Sequence, residues 1–317
     1  MRHFLASMTI SPRPSVVPAV IALIALSVLW GYTWVLAKVA LVYSDPFDFA
    51  AWRIAIGALC LMGVLAWQGK LSRPARVKET AFYGLTQTAG CFLLSIWALA
   101  EGGAGKTAVL VYIMPFWVVL LGWPILGERV RGGQWWAVGL GFAGLMFILE
   151  PWGLRTTLFS KILGTLAGLS WAVSSVHVKR MQRKGPLDVM VVTFWQLLFG
   201  LLPMAAVALL ASSRPTQWTA TFVVALLYNG VLSTAVGAML WLYILKRLPA
   251  WIAGMSSLAV PAIAILTAWL QLGEMPSAAE LLGMILVSVA LAILSLRGIR
   301  RRRRWVTSTA ASPAIGR

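Results

Sequence analysis

The sequence predicts an all-α polytopic membrane protein, with ten transmembrane helices arranged as two inverted five-helix repeats. Three observations carry this: an apolar composition, ten apolar runs, and an internal repeat with an odd number of runs per copy. Of the 317 residues, 60% are hydrophobic and only 11% are charged. A soluble domain is about half apolar and about a quarter charged. One or two soluble cores could not hide this much apolar surface. The composition excludes a secreted disulfide scaffold, a disordered protein and an ordinary cytosolic enzyme.

A spanning helix needs about 20 mostly apolar residues. Charges, Gly/Pro positions and polar clusters divide the chain into runs at 19–38, 47–68, 80–99, 106–125 and 134–150. Five more follow at 161–181, 189–211, 219–245, 251–271 and 278–297. The run from Pro18 to Val42 has no small-residue cleavage site behind it. It reads as a retained first helix that also directs insertion. An even number of spans puts both termini on one side. Sorting the 27 Lys+Arg residues by loop gives 21 on the side of the termini. Five fall on the other: Lys38, Lys106, Arg155, Lys161 and Arg214. Arg53 lies inside a span. Basic residues collect on cytoplasmic loops, so both termini are predicted to be cytoplasmic. The net charge of +18 then marks loops and lipid headgroups, not nucleic acid.

Sliding the chain by 146 residues superposes Gly84, Thr88, Ala89, Leu94, Leu99 and Ala104 on Gly230, Thr234, Ala235, Leu240, Leu245 and Ala250. Pro115, Leu120 and Trp123 meet Pro261, Leu266 and Trp269. Leu126-Gly127-Glu128 meets Leu272-Gly273-Glu274. A slightly shorter shift matches Trp30 with Trp171 and Lys38 with Lys179. Five spans per copy force the second copy to enter the membrane inverted, an arrangement common in secondary transporters. The expected organisation is a cytoplasmic segment 1–18, a first repeat 19–150, an external linker 151–160, a second repeat 161–297 and a basic cytoplasmic tail 298–317.

The ordered motifs resemble those of the drug/metabolite transporter superfamily, in its ten-helix EamA-type branch. They are Leu29-Trp30-Gly31 with Lys38, Pro46 with Arg53, Ala108 and Pro115, and Leu126-Gly127-Glu128-Arg129 with Gln134 and Gly139. In the second half they are Gly164, Trp171-Ala172, Lys179-Arg180, Trp241, Tyr243, Pro249-Ala250, Ser256-Ser257, Pro261, Leu272-Gly273-Glu274 and Gly283. The chain departs in one respect: Gln196 stands as the counterpart of Arg53. The resemblance implies a multi-pass carrier of the bacterial inner membrane, usually an exporter of amino acids, related metabolites or drugs. It also implies a central cavity lined by the first, third and fourth spans of each repeat.

The residues then suggest a substrate site. Trp30, Trp34, Trp97, Tyr112, Trp171, Trp241 and Tyr243 could form aromatic walls, which hold apolar groups or cations. The alternative for each is lipid-facing or interfacial packing. Tyr83 and Gln87 share a helix face, as do Asn229 and Ser233 at the matching places. Polar groups inside a span suit substrate recognition or helix–helix hydrogen bonding. Pro115 and Pro261, near mid-span, each free a backbone carbonyl and suit a kink or gate. Arg53 could contact an anion, or pair with Asp48 a little over one turn earlier. His177 suits a surface position or a pH sensor.

Cys60 and Cys91 lack CxxC spacing, and His3 and His177 stand far apart, so no disulfide framework, metal site or cofactor is expected. No HExxH or GxSxG motif suggests an enzyme. The reading is a secondary transporter that exports small amphipathic metabolites, amino acids or analogues, by alternating access. The expected partners are a small-molecule substrate and membrane lipid. Coupling to a proton stays open, because carboxylates at mid-membrane are missing. Rival readings are an uptake permease or drug/nucleotide-type antiporter of the same fold and, further off, a channel or an intramembrane enzyme.

Overall fold

The computed structural model describes residues 17–127, 132, 134–149, 158–247, 256–290 and 292–293. Expectations for the N-terminal segment, the basic tail, Glu128, Arg129 and Pro249-Ala250 lie outside them. Among the described residues the regular structure is helical. In chain order the helices are α1 (Val17–Ala40), α2 (Pro46–Trp67), α3 (Val77–Glu101), α4 (Ala104–Leu126), α5 (Gln134–Leu149), α6 (Leu158–Arg183), α7 (Val189–Ala211), α8 (Ala220–Arg247), α9 (Ser256–Leu272) and α10 (Ala278–Ala290). Six are long and apolar enough to cross a membrane: α1, α2, α3, α4, α7 and α8. Parts of α5, α9 and α10 form shorter apolar helices. Helix α6 has 26 residues, but Lys161, His177, Lys179, Arg180 and Arg183 and several Ser and Gly residues lower its hydropathy. It begins at Leu158, inside the expected linker.

Helix ends follow local chemistry. Asp45 accepts a hydrogen bond from Phe47 N at 3.0 Å, with Pro46 opening α2. Asp188 caps α7 and Thr219 caps α8 in the same way. The two Leu-Gly-Glu motifs supply matching stops. Gly127 ends α4 at φ 68° and Gly273 follows α9 at φ 65°. This left-handed conformation costs glycine little and other residues more.

Packing across the two halves is reciprocal. Helix α1 packs on α9, and its counterpart α6 packs on α4; α2 packs on α8, and α7 on α3; α1 touches α8, and α6 touches α3. Glycines let the backbones meet. A Cβ at Gly57 would lie 2.5 Å from Thr234 Cγ2, and one at Gly200 would lie 2.2 Å from Thr88 Cβ. Such small-residue contacts let helices associate where lipid supplies no hydrophobic drive. Gly144 and Gly283 meet similarly between α5 and α10. The main core joins α1–α4 with α6–α9, while smaller clusters join α4, α5 and α10, and α1 with α8.

Both α3 and α8 widen into π-helical turns at matching places, Gly84–Leu93 and Tyr228–Val236. Such turns disturb the usual i to i−4 backbone pattern and are frequent at functional sites. In each, a carbonyl accepts from the facing half. Ser170 Oγ donates to Thr86 O at 2.7 Å, and Trp30 Nε1 donates to Ser233 O at 3.0 Å.

Candidate functional site

Arg53 lies in α2, about two turns from its start, and is 7% exposed. Asp48 does not pair with it. That carboxylate accepts instead from Ser212 Oγ at 2.7 Å, because α7 ends beside the start of α2. Arg53 Nε donates to Thr234 Oγ1 at 3.3 Å across the halves. Thr234 Oγ1 in turn donates to Asn229 O at 2.8 Å within the π-helical turn. The Arg53 guanidinium carbon lies 4.9 Å from the centre of the Phe92 ring, a cation–π contact. Among the described residues no carboxylate forms an ion pair with Arg53.

Two of the predicted aromatic residues, Tyr112 and Trp171, belong to the same core as Phe92 and Cys91. Tyr112 is buried and meets Trp171 edge to face at 5.3 Å between centroids. Tyr83 lies on the same helix as Cys91. Gln87 Oε1 accepts from Ser174 Oγ, which ties α3 to α6.

Other candidates fall elsewhere. Asn229 is fully buried, accepts from Thr33 Oγ1 at 2.7 Å and donates to Ala225 O at 2.9 Å. Its hydrogen-bonding groups are thus taken by α1 and by its own helix. Ser233 is buried in the same π-helical turn. Trp34 lies in the main core. Trp30, Trp241 and Tyr243 join the smaller α1–α8 cluster, with Trp30 and Trp241 at 5.9 Å. Trp97 stacks edge to face with Phe47 and Phe159 near the end of α3.

The prolines differ. Helix α4 breaks at Ile113, two residues before Pro115. A Cβ on Gly168 of α6 would sit 2.9 Å from Leu110 O and 3.0 Å from Val111 O, so α6 covers the carbonyls at this break. Helix α9 runs through Pro261 without interruption.

The charged ends carry a second pattern. Lys38 Nζ donates to Leu99 O, Ala100 O and Gly102 O, at 2.7, 3.3 and 2.6 Å, and closes the end of α3. Glu274 accepts from Ala104 N and Gly105 N at 2.9 and 3.3 Å and caps α4. A cation at a C-terminus and an anion at an N-terminus both answer the helix dipole. Glu280, 2% exposed, pairs with Lys106 at 2.7 Å and Lys161 at 3.5 Å. Arg214 donates to carbonyls of Leu41, Val42 and Ser44. Four of the five basic residues on the sparsely charged side are therefore engaged by protein groups; Arg155 lies outside the described residues. At the other end, His177 is partly buried. Its ring lies 4.7 Å from that of Phe82, and Nε2 sits 2.9 Å from Glu79 O.

Sequence reasoning missed Phe92, because nothing local links it to Arg53. It also missed Glu280, although Ser277-x-x-Glu280 is a capping box. Ser277 N donates to Glu280 Oε2 at 2.9 Å, and Glu280 N donates to Ser277 Oγ at 3.1 Å.

The sequence pattern of the EamA-like transporter family matches residues 17–150 and 158–296, which is most of the chain. The chain belongs to the EamA-like transporter family. This EamA-family protein is 30% identical to the uncharacterized transporter YoaV of Bacillus subtilis, over 90% of this chain and 99% of that protein. It is 28% identical to a probable amino-acid metabolite efflux pump of Salmonella typhimurium, over 87% of this chain and 94% of the relative. A solved crystal structure shares its fold, with a TM-score of 0.63 at 20% identity, covering 89% of this chain and 98% of the other. Transport, rather than catalysis, is what these relatives are named for.

Proposed function

We propose that this protein is a secondary transporter that exports small amphipathic metabolites, amino acids or their analogues, across the bacterial inner membrane. It works by alternating access, with two five-helix halves inserted in opposite senses and both termini in the cytoplasm. One observation carries this reading: the halves meet through the same contacts made twice. Arg53 reaches Thr234, and Gln196 reaches Thr88, each at 3.3 Å. Reciprocal contacts of this kind let two similar scaffolds rock about a shared centre. The buried Arg53 guanidinium, the Phe92 ring and the Tyr112–Trp171 pair of the main core support a substrate with a charged and an apolar part. The names of the Salmonella relative and of the Streptantibioticus cattleyicolor probable terminal-alkyne amino-acid exporter support an amino-acid-like cargo. The excess of Lys and Arg on one side supports the orientation.

Counterflow in proteoliposomes tests the reading. Vesicles are loaded with one unlabelled amino acid at a time, and entry of a labelled trace is followed. Transient accumulation identifies a carrier and its cargo. Flux without counterflow points to a channel, and no flux with any amino acid overturns the cargo.

A further inference from the structure

The positive charge of Arg53 is buried without a counter-charge among the described residues. Guanidinium keeps its proton under all ordinary conditions, so the charge cannot be relieved by neutralisation. Seven of the chain's nine acidic residues lie among the described residues, and none of the seven is beside Arg53. Asp45 and Asp48 bind Ser212 and Ser213. Glu79 pairs with Lys184, and Asp188 caps α7. Glu274 and Glu280 hold the start of α4, and Glu101 is exposed at the end of α3. Glu128 and Glu150 come just after α4 and α5 in sequence, outside the described residues. None of these described carboxylates pairs with Arg53.

The geometry around Arg53 leaves it ready for an anion. The Arg53 guanidinium carbon lies over the Phe92 ring. Of the five N–H donors of an arginine side chain, only the one on Nε has an acceptor among the described residues, Thr234. The remaining N–H groups are the ones that bind carboxylates through two parallel hydrogen bonds. Tyr112 and Trp171 belong to the same core as Phe92 and suit the organic part of a ligand.

We propose that Arg53 takes its counter-ion from the substrate, and that the site therefore prefers monoanionic carboxylates to zwitterionic amino acids with the same side chain. A monoanion brings the buried charge to zero. A zwitterion also brings an ammonium, for which the described residues supply no carboxylate. This inference uses the transport reading to name the ligand as cargo, but its test is a binding measurement.

The test compares three ligands that differ only in charge: 3-phenylpropionate, phenylalanine and phenethylamine. Binding to the purified full chain is followed by quenching of tryptophan fluorescence. The propionate should bind about tenfold or more tighter than phenylalanine, the scale expected for one unshared charged hydrogen-bonding partner, and the amine should not bind. Raising the pH until phenylalanine loses its ammonium proton should bring its affinity up to that of the propionate. That comparison needs no variant. Arg53→Gln, checked for folding by its melting temperature, should abolish the preference. Equal or tighter binding of zwitterionic phenylalanine, binding of none of the three, or a preference that survives in Arg53→Gln would overturn the proposal. Should the binding order hold while counterflow fails with 3-phenylpropionate as well as with the amino acids, the transport reading falls and this one stands.

Discussion

Arg53 and Gln196 occupy matching places in the two halves and make matching contacts with unlike chemistry. Each bonds the threonine of the facing half, Thr234 or Thr88, at 3.3 Å. The Arg53 side of this pair carries a charge, while Gln196 Oε1 is buried with no hydrogen-bond partner among the described residues. The framework is repeated, and the charge is not.

The orphaned Gln196 oxygen predicts that Gln196→Met is tolerated. Removing a buried acceptor that has no partner is near neutral or stabilising, within about 1 kcal/mol. Thr88 Oγ1 keeps its bond to the Gln196 backbone carbonyl. Gln196→Arg should instead destabilise, because it buries a second cation at a place where no carboxylate bonds Gln196 among the described residues. Melting temperatures of the two variants decide; a larger loss for Gln196→Met than for Gln196→Arg is the adverse result.

Glu280 sits between two lysines at the joint of α4, α6 and α10. Glu280→Gln leaves Lys161, with its side chain 6% exposed, beside a neutral group. Removing one partner of a buried pair costs about 3–5 kcal/mol. The variant should show a clear drop in melting temperature. Unchanged stability would mean that the triad contributes nothing net.

The glycine crossings predict paired defects. Gly57→Leu and Gly200→Leu should both lower the yield of folded protein, since each side chain meets the facing helix well inside contact distance. Overpacking of this kind typically costs about 1–3 kcal/mol. Gly63→Leu is the control, because a Cβ there meets nothing within 4 Å. Size-exclusion profiles compare the three, and equal profiles would contradict the close approach.

Lys38→Met removes the cation that closes α3. A charge at a partly buried helix C-terminus is worth up to about 2 kcal/mol. Lys38→Arg should recover part of the loss. Hydrogen exchange should quicken in the last turn of α3 in Lys38→Met; unchanged exchange there would argue against a capping role.

The sequence by itself determined the helices, their approximate ends and the pairing of Gly84 with Gly230 and of Thr88 with Thr234. Hydropathy, caps and repeats are local or periodic properties, and they can be read along the chain. Asp188 and the glycines at 127 and 273 act within a few residues of where they stand. Only the tertiary structure decided which polar groups are already taken. Asp48 stands five residues from Arg53 in sequence, yet it binds Ser212 at the end of α7, while Arg53 finds Thr234 and Phe92. Gln87 and Asn229 carry similar polar groups in their spans, and each is matched to a partner far away in sequence, Ser174 or Thr33. Inside a membrane a buried polar group needs a partner, and helix packing decides which one comes within reach. That packing turns on the glycine crossings between halves, which join residues more than a hundred positions apart.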